Sequence, residues 1–333
     1  MKKYIKLNMN EMPYPPPIEV INSAKKGLSN LNRYTSQESL EMLKNMLSDY
    51  SKVPKEHIIL SSGSDLLIRE MIHLFSKRRK TIVVDPTFFP ITQAAKQFSS
   101  KLLKIRLSEP SFDLPISYLI DELNEQSLVV IDSPNNPTGK ILLDRVEDIV
   151  ETGAYLLIDE AYYEFSGIGF AELVKDHPNL AVTRTMDKAF SLAGARIGYL
   201  IAGKTFLNDF SGFDTFLPLP SVYAAIEALK NIDYMKKNVN KIIDERKRLQ
   251  KEAAKMGIEV YPSNTNFLLI KTGIPDAARE LKKAGVLVFD LSNQLSSEFI
   301  RVSIGTKDEN NFFLFSLGKL IKTYNQNSLL KNI

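Results

Sequence analysis

Short apolar runs alternate with helix-like segments through the first two thirds of the chain. They lie at residues 81–84, 128–131, 155–158, 180–183 and 197–201. Because successive residues in each run are apolar, the runs predict strands buried on both faces, as in the largely parallel sheet of an α/β domain. Four of the five end in polar or turn-forming residues, and open α/β sheets bind ligands beyond the carboxyl ends of their strands. We therefore expect the catalytic groups at that edge of the sheet.

The pattern changes after about residue 220. Long helices are predicted at 221–231 and 238–256, and strands at 266–270, 286–289 and 299–304, which together indicate a smaller α+β domain. Four prolines between residues 13 and 17 predict an extended arm near the N-terminus. The sequence thus predicts an N-terminal arm (1–34), a large domain (35–220) and a small C-terminal domain (221–333).

Capping-box spacing marks the start of two predicted helices. Thr35 with Glu38 opens the first, and Thr306 with Glu309 opens the last. The residues from about 325 onward are expected to form a loose tail.

The amino-acid composition argues against several classes of function. The 333 residues are 44% hydrophobic and 25% charged, with 43 basic against 39 acidic residues, so nothing indicates a nucleic-acid partner. No apolar stretch near the N-terminus is long enough for a signal peptide or a membrane span. Cysteine is absent, which excludes thiolate metal sites and fits a reducing cytoplasm, and the three histidines show no metal-ligand spacing. We expect a cytoplasmic protein without a bound metal.

A carboxylate and a lysine stand out as candidate chemistry. Asp159 directly follows the predicted strand at 155–158, and Lys188 and Arg196 lie between two later strands. Lys188 has small and apolar neighbours, and a lysine held in such surroundings near another cation has a lowered pKa. A lysine of this kind can form a Schiff base with a carbonyl compound.

Two further segments could bind a ligand at the same edge. Gly63, Ser64 and Asp65 precede a predicted helix, whose N-terminal N–H groups can bind an anion. Arg196 would add a charge-assisted contact. The string of residues 133–139, Ser-Pro-Asn-Asn-Pro-Thr-Gly, follows another strand, where its asparagines can contact a ligand or simply form a turn.

Taken together, these motifs resemble the fold-type I pyridoxal phosphate (PLP) enzymes, and within them the branch of class I/II aminotransferases that includes histidinol-phosphate aminotransferase. The resemblance spans nearly the whole chain. It is carried by residues 7–11, Arg33-Tyr34, Gly63-Ser64-Asp65, Pro86-Thr87-Phe88, the Asn-Asn-Pro-Thr-Gly string, Asp159-Glu160-Ala161-Tyr162, Lys188 with Arg196, and residues 300–306.

The resemblance implies a role for each candidate residue. Lys188 would carry the cofactor and serve as general base and acid, Asp159 would pair with the pyridine nitrogen, and Asn136 and Tyr162 would contact the ring hydroxyl. Phe88 would stack on the ring. The residues expected around the cofactor phosphate are Gly63, Ser64, Asp65, Thr185 and Arg196. Tyr34 is expected to reach that phosphate from a neighbouring subunit. The residues expected to contact the substrate are Arg301, Asn136 and Asn10.

The resemblance also implies the partners. They are a small amino donor, with histidinol phosphate as the first expectation, a 2-oxo acid acceptor such as 2-oxoglutarate, and a second copy of the chain in a homodimer. Arg301 is expected to enter the cleft because it alternates with apolar residues on its strand.

Several positions depart from the family pattern. Asp187 stands where a Ser is usual, and a carboxylate there would repel a phosphate unless it turned away or paired with a cation. Phe289 stands where histidinol-phosphate aminotransferases commonly have an Arg, and Met12 and Pro16 alter the usual arm.

These departures leave other readings open. Phe289 suits an aromatic amino acid aminotransferase, and residues 290–293 with 299–302 resemble the threonine-phosphate decarboxylases. A protein with this fold that serves only as a regulatory or binding module would lack some of the catalytic residues. Lys188 and Asp159 are both present here, which argues against that alternative.

Overall fold

The computed structural model describes residues 4–210 and 216–331, with side chains up to residue 327. The α-helices are α1 Ile18–Leu28, α2 Gln37–Ser51, α3 Ser64–Phe75, α4 Phe89–Phe98, α5 Ile116–Asp121, α6 Glu147–Val150, α7 Tyr163–Ser166, α8 Lys204–Asp209, α9 Leu219–Lys230, α10 Ile232–Ala254, α11 Ala277–Lys283 and α12 Lys307–Lys331. The strands are β1 Ile5–Leu7, β2 Ile58–Ser61, β3 Lys80–Asp85, β4 Lys101–Arg106, β5 Ser127–Asp132, β6 Tyr155–Asp159, β7 Leu180–Thr185, β8 Gly198–Ala202, β9 Glu259–Val260, β10 Phe267–Lys271, β11 Val286–Asp290 and β12 Phe299–Ser303. Two 3-10 helices lie at Lys55–His57 and Ala171–Lys175.

Seven strands form the large sheet, in the order β2-β8-β7-β6-β5-β3-β4. The five strands from β7 to β4 run parallel, whereas β8 is antiparallel to both of its neighbours. The carboxyl ends of β3, β5, β6 and β7 therefore meet at one edge. This confirms the α/β class and the largely parallel sheet predicted from the apolar runs.

Both faces of the large sheet are covered by helices, as the continuous apolar runs require. Val83 packs in one core with residues of α3 and α4, such as Leu67 and Ile91. Its neighbours in β3, Ile82 and Val84, lie in the core on the opposite face. A parallel sheet buried in this way is rigid, and it fixes the positions of the loops that follow its strands.

The second sheet has the order β1-β11-β12-β10-β9 and is antiparallel except for the pairing of β1 with β11. Helices α10 and α11 pack against it, and α12 contacts both of these helices. Strand β1 precedes the prolines of the arm, so the first strand of the chain belongs to the C-terminal sheet. The division at residues 34 and 220 stays a prediction.

Two local predictions were wrong. The helix expected to open at Thr35 is α2, and it is capped by Ser36, whose Oγ accepts a hydrogen bond from Ser39 N at 3.3 Å, because Thr35 Oγ1 donates instead to the Leu217 carbonyl at 2.6 Å. The expected tail from residue 325 is helical up to Lys331, because residues 319–331 contain neither Gly nor Pro to end α12. Residues 332 and 333 lie outside the described part.

The Thr306 capping box is confirmed. Glu309 N donates to Thr306 Oγ1 at 3.3 Å, and Thr306 N donates to Glu309 Oε2 at 2.7 Å. Among the described residues, none of the helices is long and apolar enough to cross a membrane.

Candidate active site

A cleft of about 370 Å³ opens at the carboxyl edge of the large sheet, where the small sheet and the arm meet it. Nearly all of the residues singled out from the sequence line it. They are Asn10, Ser64, Asp65, Phe88, Asn136, Asp159, Tyr162, Lys188, Arg196 and Arg301. Gly63 and Thr185 do not line the cleft themselves but contact residues that do, Gly63 beside Arg196 and Thr185 by accepting a hydrogen bond from Asp187 N. Tyr34 is 81% exposed and packs against the Phe216 ring, at 5.0 Å between centroids.

Lys188 follows β7 and extends into the cleft, where its Nζ donates to the Met9 carbonyl at 3.3 Å. Burial, followed by the charge of Arg301, lowers the pKa of the Lys188 amine to about 8. About a tenth of the Lys188 side chains are therefore uncharged nucleophiles at pH 7, far more than for an ordinary lysine. The lowered pKa was expected from the apolar neighbours of Lys188, but the cation that contributes is Arg301 and not the expected Arg196.

Asp159 ends β6 as a buried carboxylate. Thr183 Oγ1 donates to its Oδ1 at 3.0 Å, and the backbone N–H of Ala161 also bonds it. Burial, followed by the charge of Asp132, raises the pKa of Asp159 to about 7. Asp159 forms no ion pair with a side chain of the described residues, so it can accept a cationic group from a ligand.

Asp132 was missed as a functional residue by the sequence reasoning. It ends β5 and accepts from Thr87 Oγ1 at 2.6 Å and from Asn135 Nδ2 at 2.8 Å. Its other oxygen accepts from the backbone N–H groups of Phe88 at 3.1 Å and Asn136 at 2.8 Å. A buried carboxylate thus positions two cleft residues from different loops. Its place at the end of a buried strand was the signal that could have identified it.

An anion cup, defined as Gly63, Ser64, Asp65, Asp187 and Arg196, lies at the start of α3. Gly63 has φ +88°, and a Cβ there would lie 2.8 Å from Arg196 Cζ, so the position admits only glycine. The first N–H groups of α3 have no helical partners and point toward the cup. Arg196 forms ion pairs with both Asp65 and Asp187, so the expected pairing of Asp187 with a cation is found.

Arg301 approaches the cleft from β12 and is 6% exposed. Its Nη1 donates to Asn136 Oδ1 at 2.6 Å and its Nη2 to the Asn8 carbonyl at 2.8 Å. Among the described residues, Nε has no partner and no carboxylate pairs with this guanidinium. Burial lowers the pKa of Arg301 to about 10. A buried cation without a counter-ion is a strong receptor for an acidic substrate group.

Asn10 joins the arm to both sheets. Its Nδ2 donates to Tyr162 Oη at 2.8 Å, and its Oδ1 accepts from Ser303 Oγ at 2.9 Å. Asn10 O also accepts from Asn266 Nδ2 at 2.9 Å. Burial raises the pKa of Tyr162 to about 12, so its phenol stays protonated. Asn10 therefore orients Tyr162, and its direct contact with substrate stays a prediction.

The rest of the lining is largely apolar. The Arg301 guanidinium stacks over the Phe289 ring at 4.3 Å. The remaining residues, which the sequence reasoning did not single out as site residues, are Met9, Phe89, Pro90, Ala161 and Gln294. Most come from turns, where apolar periodicity carries no signal.

The cleft suits pyridoxal phosphate. It provides an amine of lowered pKa for the aldehyde, a buried acid of raised pKa for the ring nitrogen, and a cup with a guanidinium and a helix N-terminus for the phosphate. The Gly63 position, which a Cβ would fill, is the most specific part of this fit.

Comparisons with known proteins agree with this geometry. The family model described as "Aminotransferase class I and II" matches residues 2–314. A histidinol-phosphate aminotransferase from Sulfurisphaera tokodaii is 35% identical, over 96% of this chain and 91% of that protein.

Two solved structures have the same fold. The histidinol-phosphate aminotransferase from Clostridium acetobutylicum is 25% identical with a TM-score of 0.86, covering 96% of this chain and 99% of that one. The enzyme from Sinorhizobium meliloti, solved in complex with pyridoxal-5'-phosphate, is 23% identical with a TM-score of 0.85, covering 97% and 92%. With a family model matched over nearly its whole length, this chain belongs to the class I and II aminotransferases, the transaminases that use pyridoxal phosphate.

Proposed function

We propose that the chain transfers the amino group of histidinol phosphate to 2-oxoglutarate, with the cofactor attached to Lys188. The observation that carries the proposal is Arg301, a buried guanidinium with no carboxylate partner in the described residues, facing the same cleft as Lys188. The relative from Sulfurisphaera tokodaii, named for this activity, supports the choice of donor.

When bound, pyridoxal phosphate supplies an aldehyde that condenses with amines and a ring that accepts electrons from the bond broken at the substrate Cα. Lys188 Nζ, as a free amine, accepts the proton from that Cα and later releases it, acting first as base and then as acid. Asp159 keeps the ring nitrogen protonated. Arg301 binds the acidic end of each substrate, which is the phosphate of the donor and a carboxylate of the acceptor.

The other site assignments belong to the same proposal. Phe88 would stack on the ring, Asn136 and Tyr162 would contact its hydroxyl, and Asn10 would lie toward the substrate. Gly63, Ser64 and Asp65 would bind the phosphate through their backbone N–H groups, and Thr185 and Arg196 through their side chains. Asp132 supports this arrangement by bonding the backbone of Phe88 and Asn136.

An aromatic amino acid is a second candidate donor. Phe289 packs against Arg301, and Phe88 and Phe89 also line the cleft, so an aromatic side chain would find apolar surface there. A donor phosphate, in contrast, would have to rely on Arg301 without a second arginine at position 289.

A panel of donors tests these assignments. Histidinol phosphate, phenylalanine and phosphothreonine are each supplied with 2-oxoglutarate, and both glutamate and carbon dioxide are measured. We expect glutamate from histidinol phosphate at the highest kcat/KM. A higher value with phenylalanine would support the aromatic donor, and carbon dioxide from phosphothreonine would indicate a decarboxylase. Lys188→Ala is the matched control and should be inactive with every donor.

We further propose that the chain is a homodimer in which Tyr34 reaches the cofactor phosphate of the partner's site. The support is exposed apolar surface around Tyr34, including Leu31 and Phe216. A mixed dimer of one Tyr34→Ala chain and one Lys188→Ala chain would contain one complete site. Mixing the weakened Tyr34→Ala protein with the inactive Lys188→Ala protein should therefore restore activity, up to half of the wild-type value per site in the mixed dimers. Failure to restore activity would contradict the shared site.

We also propose that the enzyme acts in the cytoplasm with no nucleic-acid partner. The support is the absence of cysteine from the 333 residues and the balanced charge. Cell fractionation with an antibody against the chain tests the location.

A further inference from the structure

Two carboxylates occupy the anion cup. Asp65 and Asp187 both pair with the same guanidinium, that of Arg196. Arg196 forms no ion pair with any further carboxylate of the described residues. The three side chains together therefore carry two negative charges and one positive charge.

The carboxylates of Asp65 and Asp187 differ in how easily they can move out of the anion cup. The Asp65 side chain is 47% exposed, so it can turn into solvent when a phosphate arrives. The Asp187 side chain is 8% exposed, and its backbone N–H donates to Thr185 Oγ1 at 3.0 Å. The Asp187 carboxylate is therefore buried beside Arg196 and lacks the direct access to solvent that Asp65 has.

Asp187 is also incompletely bonded. Its Oδ1 is buried and has no hydrogen-bond donor among the described residues, while its Oδ2 pairs with Arg196. A carboxylate oxygen in that position offers a phosphate no hydrogen bond and repels it, because both groups are anions in a poorly solvated space.

The backbone around the anion cup is closely packed and has little space in which to move. A Cβ at Gly198 would overlap the Ser64 backbone and lie 2.8 Å from Gly63 O, so β8 already touches the start of α3. A phosphate carries a charge of about −1.5 to −2 at pH 7, against which the cup offers one guanidinium and the partial charge of a helix N-terminus. The buried carboxylate cancels much of that attraction.

We propose that Asp187 acts as an internal anion of the phosphate site. In the cofactor-free protein, the Asp187 carboxylate pairs with Arg196. In the loaded protein, the carboxylate remains beside the phosphate and lowers the affinity of the site for it. The cofactor is then retained mainly through its covalent bond to Lys188, and forms without that bond exchange readily with solution. This inference rests on the proposed assignment of the cup to the cofactor phosphate.

The test is equilibrium binding to the full-length chain after removal of cofactor, followed by absorbance or calorimetry. Pyridoxamine 5'-phosphate is the probe, because it has no aldehyde and cannot bond to Lys188. Asp187→Asn keeps the size of the side chain and removes its charge, and Asp187→Ser serves as a second variant. We expect each to bind the probe at least about tenfold more tightly than wild type, a gain of about 1.4 kcal/mol.

Two matched controls show where the effect arises. Pyridoxamine, which lacks the phosphate, should bind wild type and Asp187→Asn equally. Asp65→Asn removes the other carboxylate from Arg196, and it should change the affinity for the phosphate probe by less than Asp187→Asn does, because Asp65 is solvated.

The outcomes separate this inference from the proposed function. Equal or weaker binding of the probe to both Asp187 variants would overturn it and would show that Asp187 instead orients Arg196 for the phosphate. Tighter binding of pyridoxamine as well would also overturn it, because the effect would not concern the phosphate. If wild-type protein bound neither the probe nor pyridoxal phosphate, the proposed function itself would fail.

Discussion

Lys188 and Asp159 share one cleft, and burial shifts the pKa of both toward neutrality from opposite sides. Desolvation lowers the pKa of the lysine and raises the pKa of the acid, because each is penalised as a charged group. The lysine gains nucleophilicity, and the acid becomes a receptor for a protonated ring nitrogen. The same physical cause thus prepares two different roles.

The pKa of Lys188 predicts how fast the cofactor attaches. Only the neutral amine attacks an aldehyde, and with a pKa of about 8 the neutral fraction rises about tenfold between pH 7 and pH 9. We expect the rate of pyridoxal attachment to cofactor-free protein, measured by stopped-flow absorbance, to rise by about that factor and then level off. Pyridoxal avoids the titration of a phosphate group. A rise that continued unchanged to pH 10.5 would show an ordinary lysine.

Arg301 predicts a loss in substrate binding. Arg301→Lys keeps the charge but loses the planar fork that bonds Asn136 and the Asn8 carbonyl. We expect KM for 2-oxoglutarate to rise about 10- to 100-fold with a smaller change in kcat, as for a lost charge-assisted contact of about 1.5–3 kcal/mol. Arg145→Lys, at an exposed ion pair with Asp148, is the control and should match wild type. An unchanged KM in Arg301→Lys would remove Arg301 from the substrate site.

At the scale of elements, the contact between β8 and the start of α3 determines the shape of the anion cup. Gly198→Ala would force a Cβ against the backbone of Gly63 and Ser64. We expect the affinity for pyridoxal phosphate to fall at least about tenfold, because the first N–H groups of α3 must move. Gly194→Ala is the matched control, since its Cβ would meet nothing within 4 Å. Fluorescence titration of both variants measures the difference, and equal affinities would contradict the role of this contact.

The elements also show what sequence patterns can and cannot predict. Strands β3, β5, β6, β7 and β8 were found from their apolar runs, because both of their faces are buried. Strand β4 was missed, since the exposed Lys101, Lys104 and Arg106 interrupt the apolar residues of this edge strand and leave no continuous run. Helix α1 was missed because it follows the prolines of the arm, and Pro17 is its N-cap.

As with the strands and helices, some residues of the site could be predicted from the sequence and others could not. Asp159 and Lys188 could be located because each follows an apolar strand at the binding edge. The support that Asp132 gives to Phe88 and Asn136 depends on contacts between separate loops, which no local pattern encodes. The same is true of the bond from Asn10 to Tyr162, whose partners are 152 positions apart.

For the whole molecule, the buried charge of Asp159 opposes stability when the cofactor is absent. Its pKa in the folded chain, about 7, lies above the unfolded value of about 3.9, so the folded state is favoured at low pH and loses stability as pH rises through 7. Between pH 6 and pH 8, the cofactor-free wild type should lose stability relative to Asp159→Asn, by on the order of 1 kcal/mol.

Urea unfolding of the two cofactor-free proteins at both pH values measures this difference. Lys188, whose pKa is lowered, acts in the opposite direction, and because the Asp159 charge raises the pKa of Lys188, the comparison measures the two groups together. We expect Asp159→Asn to be the more stable protein at pH 8 and to have lost its activity. If the difference in stability between the two proteins did not depend on pH, the pKa of Asp159 would lie outside the range from pH 6 to pH 8, which would contradict the prediction.

The pairing of the arm with the C-terminal sheet has a consequence for synthesis on the ribosome. Asn10 bonds Ser303, which is 293 positions later, so at about 5–20 residues per second it waits about 15–60 s for its partner to be translated. During that interval β1 and the arm remain available to proteases or chaperones. Protease digestion of stalled nascent chains should cut the arm in chains that stop before residue 286 and spare it in complete ones. Strand β1 and Asn10 are thus translated early but are among the last parts of the chain to form their native contacts.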